Sequence, residues 1–329
     1  LVFCMYFSSI PLGVSGTFRV GALSSPGDPF DVLWSRFADR VAEESSGRLR
    51  ANLFVRGEVG GEEALMLAVR RGRIEVSILT SSGLSAVIPE MALLMAPFMF
   101  SGLDEADFVF DHYLSDPIQA LSAEKGIKVL GLADEGFLSV FSVTPIRTPK
   151  DLNGYRMRSR QVASSPLFLE ALSADVVPLP FPELIPALQT SLVQGAEAGT
   201  MTYASYGLAP IAPFLTLTRH AYSSGIYGAS SVWFDNLDDH LQSAVLRATP
   251  DVNEVRRMVR ARNLSDLEKA ASQGVVLYQP SGTEIAAWKE ATSAVAGQLV
   301  DQIGGNAHIF YDAIMDGKAA YLRDKTNGH

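Results

Sequence analysis

Three arginines, Arg156, Arg158 and Arg160, alternate at and just after the end of the run PIRTPKDLNGYRMR (Pro145–Arg158). A guanidinium on a strand is planar, permanently charged and able to grip both oxygens of a carboxylate. This segment is therefore the chain's best candidate for holding a small organic anion. Alternation puts all three on one strand face, so spacing alone does not choose among them, and each also fits a surface ion pair. Glu62 and Glu197 could face the same ligand. Glu62 equally reads as a favourable charge at a helix N-terminus, and Glu197 as half of an inter-strand ion pair. Phe137, Phe181, Met201, Tyr203, Tyr206 and Tyr222 could wall a pocket, although core packing accounts for any one of them. His220 reads as a structural hydrogen bonder.

Motifs that would turn such a pocket into a catalytic one are missing. The sequence has no G-x-S-x-G, H-E-x-x-H, P-loop or G-x-G-x-x-G, and its five histidines have no metal-ligand pairing. The Asn263-Leu264-Ser265 tripeptide is common by chance. A net charge of −9 with no Lys/Arg run argues against nucleic acid as a partner. With 329 residues, 47% hydrophobic, the chain is large enough for two lobes.

The elements that must position these residues begin with a segment of different character. Residues 1–16, LVFCMYFSSIPLGVSG, are apolar and uncharged and read as the rear of a secretory signal cleaved after Gly16. The single cysteine, Cys4, lies inside it, so no disulfide or Cys-based metal site is expected, and a lipid anchor is poorly matched because Phe3 precedes it. Strands at 17–23, 51–55 and 74–80 alternate with helices from Pro29 and Glu62, the order of a parallel sheet with ligands at the carboxyl ends of its strands. That directs attention to Ser24–Ser25, Gly60–Glu63 and Ser81–Ser82. A helix at 103–123 and a strand at 127–132 follow, then a separate strand at 137–143 leaving the lobe. A second α/β unit has strands at 155–159, 175–179 and from Ala196. A strand at 222–232 returns, followed by helices at 236–249 and 250–272. Ile285, Trp288, Ala291, Val295, Leu299 and Ile303 predict one final long helix. No flexible tether separates the lobes, which fits a hinged clamp.

The chain resembles the solute-binding proteins of tripartite ATP-independent periplasmic (TRAP) transporters, of the dicarboxylate-receptor type. The resemblance is carried by PFMF (Pro97–Phe100), EGF (Glu135–Phe137), PIRTPKDLNGYRMR, the ALQT and VQGAE run (Ala187–Glu197), LTRHAY (Leu217–Tyr222) and VWFDNL (Val232–Leu237), in order over most of the chain. It implies an α/β, two-lobed clamp of the type II periplasmic-binding-protein kind. Each lobe is a mixed sheet flanked by helices, with hinge strands and a long helix in the C-terminal half spanning both. The implied division is 17–136 plus 225–264 for lobe I and 137–224 plus 265–329 for lobe II. The family's carboxylate-binding arginine follows the helix glycine by four positions, which is Arg158 after Gly154, and its aromatic wall falls on Phe137 and Phe181.

Two positions depart from the family pattern: Leu138 stands where many relatives have an arginine, and Ala198 where many have an asparagine. Losing those donors leaves a second carboxylate or a polyhydroxylated chain unsatisfied. The expected ligand is thus a monocarboxylate with an apolar or aromatic body, contacted by Arg158, Phe137, Phe181, Leu138, Ala198, Glu197, Glu62, Met201 and Tyr222. Some relatives bind a metal through a Glu-aromatic pair; Glu197-Ala198 lacks the aromatic, so neither metal nor other cofactor is expected. The resemblance implies a periplasmic, non-enzymatic receptor that delivers its ligand to membrane permease subunits. Input to a sensory system, or an enzyme on the same scaffold, are the other readings. A monomer is expected, because no exposed heptad or large apolar stripe stands out.

Overall fold

The computed structural model describes residues 16–327. The expected signal segment, with Cys4, lies outside them except for Gly16, which pairs with Leu49 at the start of the first strand. Nine strands, β1 (Gly16–Gly21), β2 (Leu49–Phe54), β3 (Val76–Thr80), β4 (Ile127–Ser142), β5 (Arg156–Ser159), β6 (Asp175–Pro178), β7 (Gly195–Gly199), β8 (Phe214–Ser230) and β9 (Val276–Tyr278), form one sheet. Its order is β2-β1-β3-β8-β4-β7-β5-β6, with β9 against β8. β1 runs parallel to β2 and β3, and β5 parallel to β6 and β7, as crossover helices require. Both sets join the antiparallel pair β4–β8, so each half of the sheet is mixed.

Local chemistry sets the helices flanking it. Asp28 caps the helix Pro29–Glu44 by accepting from the Asp31 amide at 2.8 Å, and Pro29 suits the first turn. The predicted stripe Phe30, Leu33, Phe37 and Val41 is buried, together with Trp34. Phe18, Trp34 and Tyr227 share that core with Val255 and Val259 of the helix Val252–Ser272. Farther along the same helix, Ala270 belongs to the core of the other half, with Phe141 and Leu188. The long helix therefore spans the two halves.

β4 is the main departure from the sequence reading. The two strands expected at 127–132 and 137–143 are one strand of 16 residues. Its register against β8 slips between Val129 and Gly131, between Asp134 and Gly136, and between Leu138 and Val140. The first two slips leave an extra residue on β4, Leu130 and then Glu135, which bends the strand and re-aims a side chain, whereas at the third the excess lies on β8, whose residues 217–220 stand opposite Ser139. The polar Asp134-Glu135-Gly136 step broke the apolar alternation without ending the strand. β8 is likewise longer than expected, because it is buried through both halves.

The expected single final helix is two, Gly282–Ala291 and Val295–Ile303, with a break at 292–294. A further helix, Ala307–Asn327, follows Gly304 and Gly305, which both have positive φ. It packs on 103–114: Phe310 and Ile314 share a core with Val109 and Phe110, and Gly317 lies where a Cβ would meet Tyr113. Residues 307–327 thus pack on 103–114 and on the preceding helix Val295–Ile303, in a core that also takes in Leu138 and Tyr222.

Candidate functional site

The structure separates the three arginines that spacing left equivalent. Arg156 is exposed and donates to the Ser191 carbonyl at 3.1 Å. Arg160 is half-buried and faces Glu62 across the cleft at 3.7 Å. Arg158 is 5% exposed, and no carboxylate of the described residues pairs with it. Its Nε donates to the Leu179 carbonyl at 2.8 Å, and its guanidinium carbon sits 5.9 Å from the centre of the Phe181 ring. Burial lowers the Arg158 pKa to about 10, the neighbouring Arg160 adds to the shift, and Glu197 and Glu62 oppose it. A buried guanidinium with only one hydrogen bond and one aromatic face is poised to take an anion.

Around it, Phe181 packs edge-on against Tyr206, ring centres 4.7 Å apart. Burial raises the Tyr206 pKa above its ordinary value. Glu62 starts the helix Glu62–Arg70, where negative charge is favourable, and its carboxylate reaches over to Arg160. Phe137 is half-buried, 5.2 Å from the Tyr222 ring. Met201 is half-buried and its amide donates to Asn263 Oδ1 at 3.1 Å. Asn263 also donates from Nδ2 to the Glu135 carbonyl at 3.3 Å, so one side chain of the long helix ties both halves.

Other candidates are satisfied elsewhere. Glu197 is buried and accepts from His220 at 2.8 Å, and Thr218 lies 2.8 Å from the other ring nitrogen of His220. The His220 ring stacks flat on Phe168 at 4.1 Å. Burial pushes the Glu197 pKa up, but the hydrogen bond and charge of His220 outweigh it and hold the group below its ordinary value. Tyr222 is 2% exposed and packed among Phe100, Phe110 and Phe137. Tyr203 is buried and donates to the Ala212 carbonyl. Leu138 and Ala198 are buried in two different core clusters.

Glu135 escaped the sequence reading as a site residue. It is the extra residue of the central β4 bulge, and one of its oxygens accepts from Ser223 on β8. Burial, with Glu62 adding, raises its pKa to about 7 against the opposing Ser223 bond and Arg160 charge. The signal that points to it is a glycine directly after an acid inside a strand, a common mark of a bulge. Cavities of about 480 and 290 Å3 lie elsewhere, one between Phe54 and Ile74, the other between Pro26 and Lys269. Neither holds Arg158. Beside Arg158 the Glu62–Arg160 pair bridges the cleft, so chemistry rather than cavity size locates the site.

A bent two-strand crossing between the halves, a spanning helix and a buried unpaired cation define a ligand-binding clamp. The chain belongs to the DctP family, bacterial extracellular solute-binding protein family 7, whose profile matches residues 21–302. It is 28% identical over 246 residues to the 2,3-diketo-L-gulonate-binding periplasmic protein YiaO of Escherichia coli, covering 74% of this chain and 75% of that one. It is 26% identical over 288 residues to the ectoine-binding periplasmic protein TeaA of Halomonas elongata, covering 84% and 83%. Among solved structures, the sugar acid binding protein DctPAm of Advenella mimigardefordensis, in complex with galactonate, matches with a TM-score of 0.86. It is 25% identical, covering 92% of this chain and 99% of that one. A TRAP periplasmic solute-binding protein of Sulfurospirillum deleyianum with bound succinate matches with a TM-score of 0.81 at 25% identity, covering 93% and 99%.

Proposed function

We propose that this protein is the extracytoplasmic receptor of a TRAP transporter. It seizes a small organic monocarboxylate with an apolar or aromatic body and hands it to membrane permease subunits. The observation that carries this reading is Arg158: buried, without an acidic partner, and laid over Phe181. A carboxylate entering here replaces lost water with two charge-assisted hydrogen bonds, whereas an empty site leaves the charge poorly solvated. Contacts from both halves then favour the closed form by differential affinity. Phe137 and Phe181 supply apolar wall, and the buried Leu138 and Ala198 add no donors for a second carboxylate. The task is capture and release, with no change to the ligand.

Native mass spectrometry of the purified protein, followed by thermal-shift titration of the identified compound, tests the reading. The expected result is an organic acid recovered intact whose stabilisation is lost in Arg158→Met. A tightly held compound without a carboxylate, or one bound equally well by the variant, would overturn it. Stronger stabilisation by succinate than by benzoate-like acids would overturn the monocarboxylate assignment.

A further inference from the structure

The helix Glu62–Arg70 carries the chain from β2 to β3, and at nine residues it is short for the sheet it must cover. It packs on β3 and β8. It also presses on the end of β1, where a Cβ on Gly21 would stand 2.7 Å from Leu65 and 3.2 Å from Ile74. Gly21 pairs with Phe54 of β2, so the Phe54 side chain lies on the face that this helix occupies. β2 is the edge strand, and there the face is bare: Arg50, Asn52 and Phe54 alternate as exposed residues. A strip of sheet left uncovered beside a helix makes a groove.

That groove is the cavity of about 480 Å3, a size that takes small organic ligands. Phe54, Val59, Leu67 and Ile74 give it apolar walls, and Phe54 is 38% exposed. Arg19, Arg71 and Arg73 line it as well. Arg19 is neutralised by Glu75 at 2.6 Å. Arg71 and Arg73 are exposed, and no carboxylate of the described residues pairs with either. The one acid in the lining, Glu58, accepts from the Arg56 amide at 2.7 Å and offsets one of these charges. In a chain of net charge −9 the groove is thus locally positive.

We propose that this groove is a second ligand site, for a free amphipathic organic acid. The apolar chain or ring lies along Phe54, Val59 and Leu67, and the acid group meets Arg71 and Arg73. The arginine stems extend the apolar wall while their guanidiniums stay hydrated at the rim, so the anion is held without a large desolvation cost. Every lining residue falls within residues 19–74, all on the β1–β3 half of the sheet. The groove therefore does not depend on how the halves meet, and its occupancy is independent of capture at Arg158.

Displacement of anilinonaphthalene sulfonate tests it, with Arg158→Met as the background so that the cleft is out of play. The competitors are octanoate, octanol and octylammonium, each below its micellar concentration. Octanoate is expected to displace the dye roughly 10-fold more effectively than the other two, the ratio a charge-assisted hydrogen bond supports. Adding Arg71→Ser and Arg73→Ser should erase that ratio. Ala64→Trp, an exposed substitution in the groove wall, should block the dye. The inference is overturned if the background protein does not bind the dye or if the three competitors act alike. It is equally overturned if the preference survives loss of both arginines or if Ala64→Trp binds the dye as before. Retention on phosphatidylglycerol vesicles that requires Arg71 and Arg73 would give the groove to a membrane surface and overturn the free acid.

Discussion

Glu62 and Arg160 meet across the cleft, carboxylate to guanidinium, at 3.7 Å. The glutamate starts a helix on the β1–β3 half of the sheet, and the arginine follows β5 on the other. A partly exposed pair of this kind contributes about 0.2–1 kcal/mol. That is too little to hold the halves shut and enough to bias them. Arg160→Ala is expected to raise the radius of gyration of the unliganded protein in small-angle scattering. It should also weaken ligand binding by roughly two- to five-fold. Identical scattering curves and affinities would remove the pair from any part in closure.

Arg158 should show the opposite pattern, stability gained and binding lost. Its burial without an acidic partner is unfavourable to the fold, and Met fills a similar volume without the charge. Arg158→Met is expected to unfold at the same or a higher temperature without ligand. Affinity should fall roughly 10- to 100-fold. Scanning fluorimetry with and without ligand reads both quantities. A destabilised variant that keeps its ligand-induced shift would make Arg158 a structural residue.

Glu135 links stability to pH with a definite sign. Its pKa is about 7 in the folded protein against an ordinary 4.5. A raised carboxyl contributes stability that is complete below pH 4.5 and is lost as pH climbs through 7. Without ligand, wild type should therefore weaken between pH 5 and 8, and Glu135→Gln should be flatter and more stable at pH 8. The full shift corresponds to about 3 kcal/mol, and the side chain's remaining exposure reduces that to about 1–2 kcal/mol. Urea unfolding at pH 5 and pH 8 measures it, and parallel behaviour of the two proteins would contradict the assignment.

Glu197 and His220 supply the acid limb. The folded pKa of Glu197 lies below its ordinary value, so its contribution is present above pH 4.5 and disappears as pH falls through the lowered value. Glu197→Gln is expected to cost about 3 kcal/mol at pH 7, because it leaves a buried histidine without its charged partner. The loss should shrink below pH 4. Denaturant titrations at pH 7 and 3.5 provide the comparison, and an equal loss at both would place the effect in packing instead.

Much of the scaffold could be read from the chain because its signals are local. Asp28-Pro29 and the stripe behind it give a helix start wherever they occur, and the alternation of β1 to β3 with helices leaves few topologies. β4 departs from its sequence signal for the same reason: Asp134-Glu135-Gly136 looks like a break by itself, and only β8 alongside turns it into a bulge. Arg158 could be singled out through family spacing but not from periodicity, since Arg156 and Arg160 share the alternation. What separates them is long-range, namely the Leu179 carbonyl, the Phe181 ring and Glu62. Glu197 and Tyr222 fit a pocket by residue type alone, and only the fold supplies their neighbours: His220 for Glu197, and the Phe100, Phe110 and Phe137 rings for Tyr222.

Asn263 has one amide group committed to each half, Nδ2 to the Glu135 carbonyl and Oδ1 to the Met201 amide. The same Nδ2 is the acceptor atom of an Asn-Leu-Ser tripeptide. A glycan attached there would take the nitrogen that steadies the bulge and wedge bulk between the long helix and β4. Recombinant production in yeast or mammalian secretory cells therefore risks a sugar-bearing form with a disordered crossing, and an expression host without N-glycosylation preserves the native joint.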